Sequence, residues 1–166
     1  MITTAQLMKK MIDFSGGSMH DVTHLMKVWG YARTIGMLEG LDSDTQFVLE
    51  AAAITHDIAC PLCRSKYGSA AGPLQEKEGA VLVRAFLADT AMPDSMVERI
   101  SYLIGHHHTL DAVDGIDYQI LLEADYLVNA EEYRYAPEDI RGFSRQHFKT
   151  ASGTALLRSV YPQAFL

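Results

Sequence analysis

Four side chains that can ligate a metal lie on or beside apolar helical faces. His24 lies at the edge of an apolar stripe, and His56 and Asp57 end the inward-facing run AAAITHD. Asp125 lies inside ILLEADYLV, one helical turn after Leu121. An aspartate is rarely buried without a partner, because burying its charge is costly. Two imidazoles and two carboxylates form a mixed nitrogen and oxygen set that suits a divalent transition metal such as Mn, Fe, Co, Ni or Zn.

Each of these residues also has a purely structural interpretation. A single inward histidine is more often a hydrogen-bonded core residue than a ligand. Asp57 can cap the end of an element, and Asp125 can pair with an arginine of another helix. All of these structural interpretations would have to hold together, so we interpret the set as one metal site.

The order and context of these residues carry a family resemblance. The segments are HDVTHLMKV at residues 20–28, HD at 56–57 and EADYL at 123–127. This series resembles the HD-domain superfamily of metal-dependent phosphohydrolases over about residues 19–129. The resemblance implies a compact all-α bundle and assigns the metal to four ligands: His24, His56, Asp57 and Asp125.

A histidine triplet, His106 to His108, lies at the end of the helix that is predicted to begin near Pro93. HD-domain proteins with two metals use further histidines, one after the HD pair and one or two near a later HH. His106 and His107 match the later pair, whereas the segment LQEKEGA has no histidine. We therefore expect one ion rather than two, with His106 or His107 contacting substrate or bound water. Glu76 remains available as an extra oxygen ligand or as a base.

Basic residues near these motifs are candidates for holding phosphate. Arg64 and Lys66 follow the HD pair, and an arginine offers a bidentate fork where a lysine offers a point charge. Lys27 occupies the position of the basic residue that follows the first histidine in the family. The alternative for Arg64 and Lys66 is an ordinary solvated loop.

The chain has only two cysteines, Cys60 and Cys63, in the sequence CPLC. Such a pair can form half of a structural zinc site, but no second CxxC motif follows. We expect two unpaired, reduced thiols, and a Cys₂His₂ zinc site that combines them with the histidine triplet is the alternative. Two cysteines form no disulfide framework and suit a reducing, cytoplasmic environment.

The apolar spacing is helical throughout and predicts an all-α fold. Ser18 and Asp21 predict the start of a long second helix, and Ser43 or Asp44 the start of the third. The segment from Cys60 to Pro73 is predicted to be a loop. The remaining predictions are a first helix at about 3–13, a fourth with Ala80, Val81, Val83 and Leu87 inside, a fifth from Pro93 into GHHH, a sixth over YQILLEADYLVNAEE, a short helix after Pro137 and a last helix at about 144–160.

Length and composition indicate one soluble globular domain over residues 1–166. The chain is 48% hydrophobic and 21% charged, with a net charge of −7. This acidity argues against a nucleic-acid polymer or a membrane as partner. Neither a signal peptide nor a membrane span is expected. The apolar C-terminal residues fit either the domain's own core or a homodimer interface: Leu156, Leu157, Val160, Tyr161 and Phe165.

The resemblance implies hydrolysis of a phosphomonoester or phosphodiester, and we expect a small nucleotide-like substrate. Asp57 would orient the metal-activated water or accept its proton. One alternative is a di-iron oxygenase of HD type, against which the missing intermediate histidine counts. A second alternative is a metal-containing module that binds a ligand without catalysis, against which the complete ligand set counts.

Overall fold

The computed structural model describes residues 1–166, and all of its regular elements are helical. The predicted all-α fold class is confirmed. A short 3₁₀ turn at Pro162–Ala164 follows nine α-helices. These helices are α1 (Thr4–Phe14), α2 (Met19–Glu39), α3 (Ser43–Thr55), α4 (Cys60–Tyr67), α5 (Gly72–Leu87), α6 (Asp94–Ile104), α7 (Ile116–Glu132), α8 (Pro137–His147) and α9 (Ala151–Val160).

Helices α2, α3 and α7 form the centre of the molecule. Helix α2 packs against both α3 and α7, and α3 also contacts α6 and α7. Residues 120–128 of α7 are all buried, so this helix is covered on every side. A single cluster of 35 buried apolar residues joins these helices to α1, α5, α6 and α9. None of the helices combines the length and the apolar character that a bilayer span requires.

The ends of α2 and α3 follow from local chemistry. The Ser18 hydroxyl accepts a hydrogen bond from the Asp21 amide, and the Asp42 carboxylate accepts one from each of the next two free amides of α3. Gly40 ends α2 in the left-handed region, with φ of 74°. These caps fix where α2 and α3 begin, and therefore which residues they turn toward the core.

The predicted loop after the HD pair is wrong for its first half. Residues Cys60–Tyr67 form α4, with Pro61 in its first turn and Gly68 closing it in the left-handed conformation, with φ of 69°. Proline suits the first turn because its missing amide would have no helical partner there, and a glycine commonly ends a helix. The Gly and Pro residues therefore mark the ends of a short helix.

The predicted last helix is also wrong, because it is two helices. Phe148 has extended backbone angles and ends α8, while Thr150 caps α9 by accepting from the Gly153 amide. The buried Glu123 of α7 accepts hydrogen bonds from the amides of Lys149 and Thr150. A partner distant in sequence thus stabilises the break, which local periodicity does not reveal.

The C-terminal apolar residues pack mainly within the domain. Leu157 and Tyr161 are buried, and Leu156 and Phe165 pack partly against the core. Val160 remains exposed. In α5, Val81 is also exposed rather than buried as predicted, because Gly79 and Val83 form the inward face there.

Candidate metal centre

Four donor groups converge at one point between the central helices. His24 Nε2 lies 3.1 Å from His56 Nε2. The same atom lies 3.3 Å from Asp125 Oδ1 and 3.5 Å from Asp57 Oδ2. His56 Nε2 lies 3.5 Å from one oxygen of each aspartate. Donors that share one ion at bond lengths of about 2.0–2.2 Å are roughly 3–3.5 Å apart, so this spacing fits a single divalent cation.

The packing of α2 against α3 and α7 brings these residues together. His24 lies in the second turn of α2, and His56 caps the C-terminal end of α3, followed at once by Asp57. Asp125 lies in the middle of α7, on the side that faces the other two helices. All four predicted ligands are therefore found at one site.

Hydrogen bonds from outside the set orient the donors. His24 Nδ1 donates to Glu132 Oε2 at 2.8 Å, and His56 Nδ1 donates to the Ala53 carbonyl at 2.8 Å. Each bond leaves Nε2 of that imidazole free to ligate a metal. Asn129 Nδ2 donates to Asp125 Oδ2 at 2.9 Å. Sequence reasoning missed Asn129 and Glu132, although they follow Asp125 by four and seven residues and so share its face of α7.

The electrostatics of the centre favour positive charge at its middle. Burial alone lowers the pKa of His24, but a hydrogen bond to Asp125 and the charges of Asp57 and Asp125 raise it to about 9. Burial opposes ionisation of Asp125, yet hydrogen bonds from His24 and His56 hold its pKa well below the usual range. A cation at the convergence point would take the place of the proton that these carboxylates attract.

The donors border two cavities. The polar cavity, of about 280 Å³, is lined by His20, Asp21, Cys60, Arg64 and Gln75 beside the ligands. The aromatic cavity, of about 450 Å³, is lined by Leu110, Leu122, Tyr126, Tyr135, Asp139 and Phe143. Both cavities share a border that includes Asp125, Asn129 and His108. A molecule placed over the metal centre can therefore extend in two chemically different directions.

Comparisons with known proteins identify the family and the fold of this chain. Residues 21–134 match the HD domain family. The chain belongs to the HD-domain family. The fold is similar to the crystal structure of a predicted HD superfamily hydrolase from an uncultured Thermotogales bacterium, with a TM-score of 0.70 and 22% identity over 97% of this chain and 86% of that one. No curated protein matches the sequence.

In this HD domain, two members of the histidine triplet face the centre. His107 is buried and its Nδ1 donates to the Ile104 carbonyl at 2.7 Å, while Nε2 lies 3.6 Å from Asp57 Oδ1. His108 borders both cavities. Although His108 keeps part of its surface exposed, desolvation by the surrounding groups and the neighbouring His107 lower its pKa to about 4. The prediction that His106 reaches the centre is wrong, since its Nδ1 donates to the Tyr102 carbonyl and its ring stacks on that of Tyr102.

These two histidines form a second donor group with Asp57. Metal-ligating atoms of Asp57, His107 and His108 all lie within 4.8 Å of one another. His107 Nε2 is buried and has no hydrogen-bond partner. A buried ring nitrogen without a partner is costly, so this atom is suited to a ligand or a substrate.

Glu76 fastens the histidine loop and is not directed at the convergence point. Its Oε1 accepts hydrogen bonds from the His108 amide at 3.0 Å and from the Thr109 hydroxyl at 2.9 Å. Gln75 lines the polar cavity instead, at the segment where two-metal members carry a histidine. Gly72 is needed beside this loop, because a Cβ there would lie 2.9 Å from His108 Cγ.

The three basic residues predicted to bind substrate fall in different places. Arg64 lines the polar cavity, where its guanidinium pairs with Asp21 at 2.5 Å. Lys66 pairs with Glu78 at 2.9 Å and does not line that cavity. Lys27 lies behind the centre, where it pairs with Glu131 and Glu132. Of the three, only Arg64 is positioned to contact a molecule at the metal centre.

The cysteines belong to the wall rather than to the donor groups. Cys60 lines the polar cavity, and Cys63 is fully buried behind it. Neither thiol is part of a cluster that can hold a metal. Burial raises the pKa of both thiols, and the charge of Asp57 adds to this effect at Cys60. This geometry offers no support for the Cys₂His₂ zinc site that the sequence left open.

Proposed function

We propose that this HD-domain protein is a metal-dependent phosphohydrolase that cleaves a phosphomonoester or phosphodiester of a small, nucleotide-like molecule. The observation that carries the proposal is the convergence of His24, His56, Asp57 and Asp125 beside two adjoining cavities, one polar and one aromatic. One divalent transition metal (Mn, Fe, Co, Ni or Zn) is expected.

Asp57 is the residue best suited to act on water. When bound, the metal would lower the pKa of a coordinated water and neutralise charge on a phosphoryl oxygen. The Asp57 side chain is 29% exposed, whereas those of His24, His56 and Asp125 are 10% exposed or less. Asp57 is therefore the donor that solvent reaches, and we assign it the orientation of the nucleophilic water and the acceptance of its proton.

Arg64 and His107 are the candidate contacts for the phosphoryl oxygens. The Arg64 guanidinium would leave Asp21 and offer two parallel N–H donors to phosphate. His107 donates through Nδ1 to the Ile104 carbonyl, which leaves Nε2 as the ring nitrogen available to the substrate or to its bound water. Arg64 borders the metal centre from the polar cavity, whereas His107 borders it from the aromatic cavity.

The aromatic cavity supports a leaving group with a flat, apolar surface. The rings of Tyr126 and Phe143 stack with centroids 3.7 Å apart, and Tyr135 flanks Tyr126. A nucleobase would stack or pack on these rings. The cavity contains Asp139 and Asp125 but no lysine or arginine. Further phosphates in this direction are disfavoured, so a monophosphate fits better than a polyphosphate.

Metal content and activity together test the proposal. Wild type and Asp125→Ala would each be assayed by mass spectrometry for bound metal, and for phosphatase activity on nucleoside monophosphates across divalent metals. We expect about one equivalent of metal in the wild type. The variant should lose both metal and activity. Asp111→Ala, which removes an exposed aspartate that lines neither cavity of the metal centre, is the matched control and should retain both.

Retention of metal and activity by Asp125→Ala would show that the four donors do not form one site. Metal binding without hydrolysis of any phosphoester would favour the non-catalytic ligand-binding module. The second donor group at Asp57, His107 and His108 favours one further candidate, the di-iron oxygenase of HD type. Two equivalents of iron, with oxygen consumption and no phosphatase activity, would identify that function.

A further inference from the structure

A third cavity is lined by positively charged side chains, in contrast to the acidic side chains of the metal centre. It has a volume of about 690 Å³ and lies between α8, α9 and the C-terminal residues. Its walls carry the guanidinium groups of Arg141, Arg145 and Arg158. We call it the arginine groove. All of its lining residues follow residue 134, so it lies outside the part of the chain that matches the HD domain family.

Charge is sharply divided along the sequence. Residues 140–166 contain four basic residues and no aspartate or glutamate. Residues 1–139 contain ten basic and 21 acidic residues. A protein whose net charge is −7 thus carries a terminal segment with a net charge of +4, and three of its four basic side chains face one cavity. Such local concentration creates a positive potential that attracts anions.

The three guanidinium groups have no carboxylate partner. Arg141 donates only to the Ala164 carbonyl at 3.4 Å, and Arg158 lies over the ring of Phe165, 5.3 Å from its centroid. Of the five arginines elsewhere in the chain, all but Arg134 pair with a carboxylate: Arg33, Arg64, Arg84 and Arg99. The donors of the arginine groove are therefore available, and guanidinium forks match phosphate oxygens bidentately.

The remaining lining residues indicate the size and kind of ligand. Ser144 and Thr154 add hydroxyl groups, and Phe148 and Phe165 add aromatic surface. The volume falls in the range of small-molecule sites, about 300–1,000 Å³. The strongly acidic remainder of the chain would repel a long nucleic acid, whereas a compact polyanion fits within the positive region.

We infer that the arginine groove binds a small organic polyphosphate, with its phosphates on the three arginines and an aromatic portion against Phe148 and Phe165. The site is separate from the metal centre, since the two cavities that border that centre share no lining residue with the groove. The inference stands whether or not the metal centre hydrolyses a phosphoester.

The test measures binding of β,γ-imido-ATP by calorimetry to the full chain and to an Arg145→Ala/Arg158→Ala variant. Both arginines are exposed, so the fold should be retained, as circular dichroism would check. We expect the dissociation constant to rise by about tenfold or more. Arg145→Lys/Arg158→Lys keeps the charge but removes the bidentate guanidinium groups. Its dissociation constant should lie between those of the wild type and the double alanine variant. Repeating the series in Asp125→Ala separates this site from nucleotide held at the metal centre.

Lys149→Ala is the matched control, because Lys149 belongs to the same basic segment but lines a different cavity. It should bind like the wild type. Equal binding by the wild type and the double alanine variant, or absence of binding, would overturn the inference. An equal loss of affinity in Lys149→Ala would also overturn the inference, because it would show that the net charge of the segment, and not the groove, determines binding. If a single-stranded oligonucleotide bound more tightly than β,γ-imido-ATP and depended on the same arginines, the ligand would be a nucleic-acid polymer, and the inference of a small polyphosphate would be wrong.

Discussion

The metal centre contains carboxylates paired with imidazoles, whereas the arginine groove contains guanidinium groups without acidic side chains. At the centre, each carboxylate faces an imidazole within about 3.6 Å, and outer hydrogen bonds from Asn129 and to Glu132 fix the donors. In the groove, three guanidinium groups face one space whose lining contains no aspartate or glutamate. The centre is built into packed helices, whereas the groove is an exposed surface. Changes at the centre should therefore abolish chemistry, and changes in the groove should alter only affinity.

The largest effect is expected at Asp57. Asp57→Asn keeps the size of the side chain but removes the proton acceptor, so kcat on a nucleoside monophosphate should fall by roughly 10²–10⁴-fold. Steady-state kinetics at saturating metal measures the change. Asp21→Asn, which alters the other HD pair, should have the smaller effect, since its carboxylate lines the polar cavity and pairs with Arg64 but is not one of the four metal donors. A loss of less than tenfold in Asp57→Asn would assign proton transfer to another group.

The next largest effect is expected on the free energy of unfolding, at the contact between α7 and the α8–α9 junction. Glu123 of α7 holds the α8–α9 junction through the amides of Lys149 and Thr150, and α9 forms one wall of the arginine groove. Glu123→Ala leaves those buried donors without partners and should lower the free energy of unfolding by about 3 kcal/mol. Urea denaturation measures this. Glu138→Ala, an exposed acid on α8, should change stability little. Similar stability in both variants would mean that the junction is held by other contacts.

Glu132 tests whether the outer hydrogen bonds of the metal centre matter. Glu132→Gln weakens the bond to His24 Nδ1 and should lower metal affinity by roughly 10–100-fold. Competition with a chromophoric chelator gives the affinity. Glu131→Gln is a close control, because Glu131 also pairs with Lys27 but does not contact His24. If the two variants bind metal equally well, Glu132 serves the Lys27 pair and not the centre.

Sequence reasoning could place the four candidate donors together because they obey helical periodicity. His24, His56, Asp57 and Asp125 each lie on a predicted helix or at its end, so inward orientation could be inferred from neighbouring apolar residues. The triplet differed, since it lies beyond the end of α6, where periodicity no longer indicates direction. There the chain buries His107, places His108 at the edge of both cavities and leaves His106 stacked on Tyr102.

The arginine groove could not be inferred from sequence in the same way. Its residues come from α8, α9 and the C-terminal segment, and the break between the two helices depends on a carboxylate of α7. A continuous helix over 144–160 would have placed Arg145 and Arg158 almost four turns apart. Only the reversal at Phe148–Thr150 brings them to one cavity.

The smallest effect is expected at the two cysteines, and it sharpens the assignment of the donors. Cys60 and Cys63 are buried, and burial raises the pKa of each thiol, so little thiolate forms near neutral pH. Cys60→Ser/Cys63→Ser should therefore keep the full metal content by mass spectrometry. In the native wild type, a thiol reagent should react slowly at pH 8 and rapidly after unfolding. Loss of metal from the double variant, with the fold intact, would show that a cysteine ligates the metal, and Asp125 would then no longer be assigned as a necessary ligand.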